Sequence, residues 1–217
     1  MTHISALEPI EHQMMHERIY TVLQRHIMMG KFSPGERLPL RKLAHELGTS
    51  LMPVRDALQR LESIGALVQT PTRTMMVPTL DEKEKADIAH IRSILEAEGA
   101  AKAALYRNNR ELEELAAHCD AIRHSAAVDD LNEFLEANYN FHMVIAHASR
   151  ISFLPATLEP LWLRMGPIVR VNMPDHEHFS KAVAFHDRIF AAIAAGDMEA
   201  AREAMREDVM TSNQLTS

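Results

Sequence analysis

The segment from Leu38 to Glu62 constrains the fold most strongly, because it contains two short helical patterns separated by a tight break. In the first pattern apolar residues recur at i, i+3, i+4 and i+7, which forms one face of a helix; they are Leu40, Leu43, Ala44 and Leu47. Gly48 can end this helix in a left-handed conformation, and Ser50 can cap the next helix. The segment therefore predicts a helix–turn–helix.

The second helix of this segment is predicted to have an apolar and a polar face. The side chains expected to point inward are Val54, Leu58 and Leu61. Arg55, Gln59 and Arg60 then lie on the solvent side. Basic and amide side chains on an exposed helix suit the major groove of DNA, where they can hydrogen-bond base edges. This face predicts a helix that reads DNA.

The residues that follow predict a small β-hairpin. Gly65 ends the helix, and β-prone runs at 67–70 and 75–77 flank a Pro/Thr/Arg turn. Such a hairpin is the wing of a winged helix, and Arg73 at its tip can reach phosphates or a minor groove. The alternative interpretation is an ordinary helical hairpin followed by a surface turn.

This part of the chain resembles the GntR-type winged-helix regulators. The residues that carry the resemblance are Ile19, Tyr20, Ile27, Gly30, Phe32 to Leu38, Leu43, Ala44, Leu47, Gly48, Ser50, Pro53 to Arg55, Ala57, Leu58, Leu61, Gly65 and Val77. The resemblance implies contact with double-stranded operator DNA. Together with the exposed helix face and the wing tip, it gives as candidate DNA-binding residues Arg41, Ser50, Leu51, Met52, Arg55, Gln59 and Arg73.

Two departures from the family pattern concern DNA reading. The family usually has Arg directly after the Ser of the turn, where this chain has Leu51, and its wing tip usually contains Gly, where this chain has Thr72-Arg73-Thr74. Arg is the commonest bidentate reader of guanine. Leu51 should therefore weaken or alter base reading, towards a thymine methyl, without removing the fold. A further hypothesis is a protein-binding module whose winged helix no longer binds DNA, and Leu51 is the only feature that favours it.

Composition limits the class of protein. The 217 residues suffice for two small domains, each with its own core. The single cysteine, Cys119, excludes an internal disulfide framework and fits a reducing compartment. No apolar run approaches the roughly 20 residues that cross a bilayer, and the N-terminal residues do not resemble a signal peptide. We therefore expect a cytoplasmic protein with no membrane partner.

The net charge of −7 is divided unevenly along the chain. Residues 1–78 hold nine Lys or Arg and seven Asp or Glu, a balance of +2. Residues 79–217 hold fourteen and twenty-three, a balance of −9. The basic excess lies in the part predicted to meet phosphate. Because this excess is small, we expect modest affinity per protomer and a homodimer.

The predicted domains are 1–78, a winged helix-turn-helix preceded by a helix from about Glu11 to Met29, and 79–217, an all-α bundle. Thr79-Leu-Asp-Glu82 indicates a capping box that opens a helix to about Tyr106. Further helices are predicted near 110–125, 131–148, 153–171, 180–195 and 198–213. Gly196 should end the fifth bundle helix, and Asp197 should cap the sixth. The expected fold is mainly α, with about six helices in the C-terminal bundle.

The bundle carries a second constellation of polar residues. Asn138 and His142 are four residues apart and share a helix face, while His186 and Asp208 lie on the last two helices. The runs around them, 138–142, 186–197 and 201–205, resemble the FCD effector domain of the FadR branch, and six helices resemble its VanR-type subgroup. The resemblance implies that the positions of Asn138, His142, His186 and Asp208 match an Asp and three His that ligate a divalent metal in some members.

This chain therefore has an amide, two imidazoles and a carboxylate where those members have a carboxylate and three imidazoles. Such a set still suits zinc, nickel, manganese or iron(II), with the amide oxygen a weak ligand. Alternatively, these residues hydrogen-bond one another or an effector carboxylate directly. Candidate effector-binding residues are Arg92, Asn138, His142 and His186. Glu96, four residues after Arg92, makes a structural ion pair the alternative role for that Arg. The same two roles, binding of an effector carboxylate or a structural ion pair, are open for Arg164 and Arg170.

We expect a DNA-binding transcriptional regulator that acts as a repressor. Its operator affinity is expected to be controlled by a small-molecule effector, an organic acid, that binds in the helical domain. We do not expect an enzyme. The alternative from another class is a helical metalloenzyme with an appended winged helix, since two imidazoles and a carboxylate can support oxidative or hydrolytic chemistry. The chain lacks the paired Glu-x-x-His motifs of di-iron bundles.

Overall fold

A computed structural model describes residues 12–172 and 176–215 of the chain. The N-terminal part of this description contains three helices and three short strands. Their bounds are α1 His12–Met28, β1 Arg37–Leu38, α2 Leu40–Glu46, α3 Leu51–Ser63, β2 Val68–Gln69 and β3 Met75–Met76. The remaining described residues form six helices. Their bounds are α4 Glu82–Tyr106, α5 Asn109–Val128, α6 Leu131–Ala148, α7 Leu154–Asn172, α8 His176–Ala195 and α9 Met198–Leu215.

The helix–turn–helix consists of α2 and α3. Gly48 has φ +61°, and its N–H donates to His45 O while that of Thr49 donates to Ala44 O, which is the Schellman arrangement that ends a helix. Ser50 occupies the position before α3, but its side chain makes no capping hydrogen bond. Ser50 therefore starts α3 by its extended backbone alone.

The wing is a three-stranded sheet in the order β1-β3-β2, with antiparallel pairing throughout. Its strands were predicted only in part: the runs at 67–70 and 75–77 contain β2 and the central strand β3, whereas the outer strand β1 was missed. β1 has two residues, and Arg37 pairs with Met76 far along the chain. No local pattern marks so short a strand, because its pairing partner alone defines it.

One buried residue of the bundle belongs to the core of the winged helix, and Tyr139 of α6 packs against this core. Ile27 of α1 and Val54 and Leu61 of α3 are completely buried, as the period of the apolar residues predicts. Leu163 of α7 is 1% exposed and belongs to this same core cluster. The two parts of the molecule therefore share apolar packing and do not merely touch.

The six-helix bundle, α4 to α9, encloses its own core, with Leu115, Ile122, Phe134, Phe141 and Ile193 buried at its centre. The expectation of mainly helical structure with a C-terminal bundle of about six helices is confirmed. None of the helices in the described part of the chain is long and apolar enough to cross a membrane.

The helix boundaries of the bundle follow local capping signals. The capping box that opens α4 was predicted two residues too early: Asp81 and Glu84 form it, not Thr79 and Glu82. Thr79 and Asp81 each have a side-chain acceptor and a Glu three residues later, so the sequence pattern alone does not distinguish the two positions. Gly196 ends α8 with φ +75°, and the Asp197 carboxylate accepts from the N–H of Ala200 at the start of α9.

Candidate functional site

Five polar side chains meet inside the bundle, where α4, α6, α8 and α9 face one another. They are Arg92, Glu96, His142, His186 and Asp208, each no more than 8% exposed. We call them the buried cluster. Charged groups in an apolar interior are costly unless each finds a partner. The hydrogen bonds within the buried cluster therefore decide which groups are charged.

A chain of ion pairs runs through the buried cluster. Arg92 Nε donates to Glu96 Oε1 over 2.6 Å, which is the ion pair expected from their spacing. The other oxygen, Glu96 Oε2, accepts from His142 Nδ1 over 2.5 Å. On the far side of the ring, His142 Nε2 lies 3.4 Å from Asp208 Oδ2. His142 thus bridges two carboxylates.

This bridging position determines the charge of His142. Burial alone would lower the pKa of the imidazole, but the Glu96 carboxylate and the hydrogen bonds to Asp208 and Glu96 outweigh burial and raise the pKa to about 9. Burial opposes ionisation of Glu96, yet Arg92 and His142 hold the pKa of that carboxyl below its usual range. Two cations, Arg92 and His142, therefore face two anions, Glu96 and Asp208, at neutral pH.

His186 differs from His142, because burial lowers its pKa and leaves the ring neutral at pH 7. Its Nδ1 lies 2.7 Å from the carbonyl oxygen of Ala182, so Nδ1 carries the single proton and donates it. The other nitrogen, Nε2, is then an acceptor. It lies 2.7 Å from the side-chain amide of Asn138, through Oδ1. Rotating that amide by half a turn presents an N–H donor to Nε2.

Three of the four predicted ligands, His142, His186 and Asp208, come together, and the fourth, Asn138, lies beside His186. One donor atom from each of the three lies within 4.8 Å of the others. Asp208 Oδ1 is buried and accepts no hydrogen bond from any described residue, so one carboxylate oxygen is left for a further partner. Two imidazoles and a carboxylate fit a divalent transition metal. Binding of a metal at His142 Nε2 requires release of the proton held there.

Aromatic rings close one side of the buried cluster. The guanidinium carbon of Arg92 lies 3.7 Å from the centre of the Trp162 ring, and the His142 ring lies 4.9 Å from that ring. A narrow cleft beside His142 and Glu96 is otherwise apolar and has about 150 Å³ of empty space, none of it wide enough for a water molecule. In this conformation that cleft is too narrow to admit an organic acid.

The predicted DNA-binding residues are all accessible in the structure. All seven are solvent-exposed: Arg41, Ser50, Leu51, Met52, Arg55, Gln59 and Arg73. Arg60 is exposed, as was predicted for it together with Arg55 and Gln59, and its guanidinium also reaches α1. It pairs with Glu17 over 2.9 Å and lies 3.8 Å above the Tyr20 ring. Arg60 therefore serves packing between α1 and α3.

The wing tip adopts a conformation that favours glycine. Arg73 has φ +60° and follows a turn in which its N–H donates to Thr70 O. A left-handed residue after such a turn is typical of three-residue hairpins. The missing glycine at this tip has therefore not changed the turn, and Arg73 bears the backbone strain in its place.

Other predicted residues lie outside the buried cluster. Arg164 and Arg170 are not in it, and their side chains contact the winged helix. The side chains of His176 and His178, to which a minor role was given, lie outside the described residues. Sequence reasoning missed the contact of Glu96 with His142 and the role of Trp162. The only tryptophan in the chain was a signal that could have drawn attention to α7.

Two family models match the chain in the same order as the two structural parts. Residues 15–77 match the gntR family of bacterial regulatory proteins, and residues 87–210 match the FCD domain. The chain belongs to the GntR family and carries an FCD domain. The resemblance to GntR-type regulators with an FCD domain is thereby confirmed, while the VanR-type subgroup stays a prediction.

The relatives of this GntR-family chain are named as transcriptional regulators. It is 29% identical over 213 residues to the HTH-type transcriptional regulator McbR of Escherichia coli, covering 95% of this chain and 90% of McbR. It is 28% identical over 183 residues to a probable D-xylose utilization operon transcriptional repressor of Paenarthrobacter nicotinovorans, covering 84% and 80% of the two chains. The expected function as a DNA-binding transcriptional regulator is confirmed, and the metalloenzyme alternative has no support among these relatives.

Solved structures agree with this assignment. The structure of E. coli McbR superimposes with a TM-score of 0.87 at 27% identity, covering 93% of this chain and 96% of that one. A GntR regulator from Rhodococcus sp. RHA1 shares the fold, with a TM-score of 0.79 at 21% identity and coverage of 94% and 97%.

Proposed function

We propose that this GntR-family regulator is a cytoplasmic homodimer that binds operator DNA through residues 1–78 and senses an organic acid through residues 79–217. The observation that carries the proposal is the exposed face of α3. Arg55 and Gln59 project there, and no described acidic side chain pairs with either of them. A cation held free of its own protein's carboxylates remains available to a phosphate or a guanine.

The DNA-binding surface combines three elements. Leu51, Met52 and Arg55 lie in the first part of α3, which is the part of a recognition helix that meets base edges. Arg41 on α2 and Arg73 at the wing tip flank it, and both suit phosphate contacts. The net charge of +2 on residues 1–78 is small for a DNA-binding part. Two protomers on two half-sites compensate for this, which supports the homodimer.

The sensing site is the buried cluster, supplemented by Asn138. His142, His186 and Asp208 would hold a divalent metal, with Asn138 beside His186 as a weak fourth ligand. A bound metal would supply positive charge that attracts an effector carboxylate. Arg92, which is already neutralised by Glu96, would contribute to an effector only by exchanging that partner. Six bundle helices support placing the chain in the VanR-type subgroup.

Repression follows if the effector binds best to an arrangement of the dimer that does not fit the operator. An effector changes DNA affinity only by as much as it distinguishes the two arrangements. The cleft at the buried cluster leaves no room for a water molecule. An effector that enters by this cleft must therefore open the bundle as it binds, which gives it such a distinction. This function requires no turnover, so the chain is proposed to be a regulator and not an enzyme.

Selection from random double-stranded DNA with the full chain tests the DNA part of the proposal. We expect enrichment of a sequence with two related half-sites about one helical turn apart, roughly 10 base pairs. Failure to enrich any sequence would contradict operator binding. Native mass spectrometry of protein purified without chelators tests the rest, since it reports the dimer mass, a metal and a retained acid together. A monomer without either would contradict the sensing part.

A further inference from the structure

Helix α7 lies between the buried cluster and the winged helix and contacts both. Three consecutive residues of α7 point to different neighbours, because successive side chains of a helix are separated by about 100°. Trp162 packs on Arg92 and His142 in the buried cluster. Leu163 belongs to the core of the winged helix. Arg164 reaches the end of the recognition helix α3.

Arg164 binds the residue that ends α3. Its Nε donates to the carbonyl oxygen of Gly65 over 2.9 Å. The guanidinium lies so close over Gly65 that a Cβ added there would come within 2.1 Å of Nη2. A cation at the C-terminus of a helix is favoured by unpaired carbonyls and by the helix dipole. A bundle residue thereby fixes the position of the recognition helix.

A second contact ties the end of α1 to α7. Gly166 approaches the backbone of Met28 so closely that a Cβ on Gly166 would lie 2.1 Å from the Met28 carbonyl oxygen. One turn further along α7, Arg170 Nη1 donates to Met29 O over 3.1 Å. The two helices therefore meet backbone to backbone. A shift of α7 cannot be absorbed by side-chain motion alone at this point.

Two polar links between the two parts are weaker than the contacts of α7. Arg25 pairs with Glu136 over 2.5 Å, but the two side chains are 55% and 36% exposed. Lys31 reaches Asn132 at the surface. Exposed pairs of this kind contribute little to stability, since water competes with them. Tyr139 of α6 also packs against the winged-helix core, but α7 supplies both the fully buried Leu163 and the backbone contact to α1, and is therefore the main connection between the buried cluster and the recognition helix.

We propose that α7 couples the buried cluster to the recognition helix, with Arg164 as the positioning residue at the DNA end and Trp162 at the sensing end. This rests on the proposed function, in which the buried cluster senses and α3 reads DNA. Opening the cleft displaces the ring of Trp162, which packs against His142 and Arg92. Arg164 and Gly166 pass that displacement to the ends of α3 and α1, and so alter the angle at which α3 meets the groove.

Hydrogen exchange of the full-length protein, read at amides 58–67, tests this coupling without requiring the effector. Trp162→Phe perturbs the sensing end conservatively. We expect it to change exchange at 58–67 by about threefold or more when Arg164 is present. The same substitution should have no effect there in an Arg164→Met background. Arg164→Lys keeps a donor and should restore part of the response. Arg110→Met, on the exposed surface of α5, should leave the response intact.

Gly166→Ala tests the contact between α7 and α1 with Arg164 unchanged, so the coupling can still be tested if the Arg164 variants misfold. Alanine favours a helix more than glycine does, so α7 itself should not be weakened. The new Cβ should push α1 away, and amides near residue 28 should exchange faster with the bundle unchanged. An equal response to Trp162→Phe with and without Arg164, or no response in either, would overturn the coupling. So would unchanged exchange near residue 28 in Gly166→Ala.

Zinc alone serves as a second perturbation and separates this inference from the proposed function. If zinc binds and changes hydrogen exchange at amides 58–67 only when Arg164 is present, the result supports both the coupling by α7 and the metal site. If zinc binds and alters them equally in Arg164→Met, the coupling is wrong and the metal site stands. If zinc does not bind, the metal part of the proposed function fails. The comparison of Trp162→Phe with and without Arg164 then still decides the coupling.

Discussion

His142 donates from Nδ1 to Glu96 Oε2 over 2.5 Å, and both residues are only 2% exposed. The two residues lie 46 positions apart, on α6 and α4. Their pairing holds an imidazolium inside an apolar bundle, because the carboxylate offsets part of the cost of burying the charge. The charge on His142 therefore connects the stability of the bundle with the state of the proposed sensing site.

Metal-free protein should lose stability as the pH rises from about 6.5 to about 9. The pKa of His142 is raised to about 9 in the folded state, against about 6.5 in an unfolded chain. Its stabilising contribution is therefore complete below pH 6.5 and is lost as the pH passes 9. We expect a loss of roughly 3 kcal/mol in the free energy of unfolding, measured by urea denaturation at several pH values.

Two variants isolate this effect. His142→Gln should flatten the pH dependence, whereas His147→Gln, which removes an exposed His from the same helix, should preserve it. Burial raises the pKa of the Cys119 thiol to about 12. Cys119 therefore adds a loss of stability only above about pH 8.5, and it does so in both variants. Equal stability of the parent protein at pH 6.5 and pH 9 would show that His142 is not the bridging cation.

Metal retention should depend on His186 and should improve with a carboxylate at position 138. His186→Ala removes a neutral imidazole donor, so metal retention and the effector response should be lost, with dimerisation of the metal-free protein intact. Asn138→Asp adds a charged oxygen donor next to His186 Nε2 and should tighten zinc binding by about tenfold or more. Binding in all forms should weaken as the pH falls below about 9, where a proton competes with the metal for His142, and more steeply in acid, where His186 is protonated as well. Calorimetric titration with zinc measures both changes.

Equal zinc affinities for the parent, His186→Ala and Asn138→Asp would place the metal elsewhere. His124→Ala is a suitable control, because His124 is exposed on α5 and pairs with Glu133 away from the buried cluster. Its affinity should match that of the parent.

Arg73→Gly should stabilise the protein and weaken its hold on DNA. The left-handed backbone of Arg73 costs about 1 to 2 kcal/mol for a residue with a side chain, and part of this returns with glycine. The variant also lacks a cation at the wing tip. Its operator affinity should therefore fall. The salt dependence of binding should also become weaker, because about one counterion fewer is released from the DNA. Arg73→Lys keeps both the charge and the strain, so it should change neither quantity much. A salt dependence unaltered in Arg73→Gly would remove the wing tip from the interface.

Much of the fold could be predicted because the sequence signals of a helix lie within the helix and its caps. The period of apolar residues and the caps at Gly48, Gly196 and Asp197 depend on neighbours within a few residues. The contacts missed are those that link distant parts of the chain. Arg164 and Gly65 are 99 residues apart, and no spacing rule connects them. For the buried cluster, the resemblance to a family brought the three ligands together, while their charges came only from the geometry.

Leu51→Arg should strengthen DNA binding or move its preference towards guanine. Leu51 is the first residue of α3 and is 40% exposed, where a guanidinium could reach base edges. Repeating the selection from random DNA with this variant shows the change as new guanines within each half-site. An identical selected sequence would mean that residue 51 does not face the bases.

The most direct test of the account is the affinity of Arg55→Ala for the selected operator, measured by gel shift at fixed salt. Arg55 is exposed on α3 opposite the buried Val54, Leu58 and Leu61. We predict that its loss lowers operator affinity by at least about tenfold, or about 1.4 kcal/mol, with unchanged helical circular dichroism. Arg110→Ala, on the bundle surface, should bind as the parent does. Coinciding midpoints for Arg55→Ala and the parent would contradict the assignment of α3 as the helix that reads DNA.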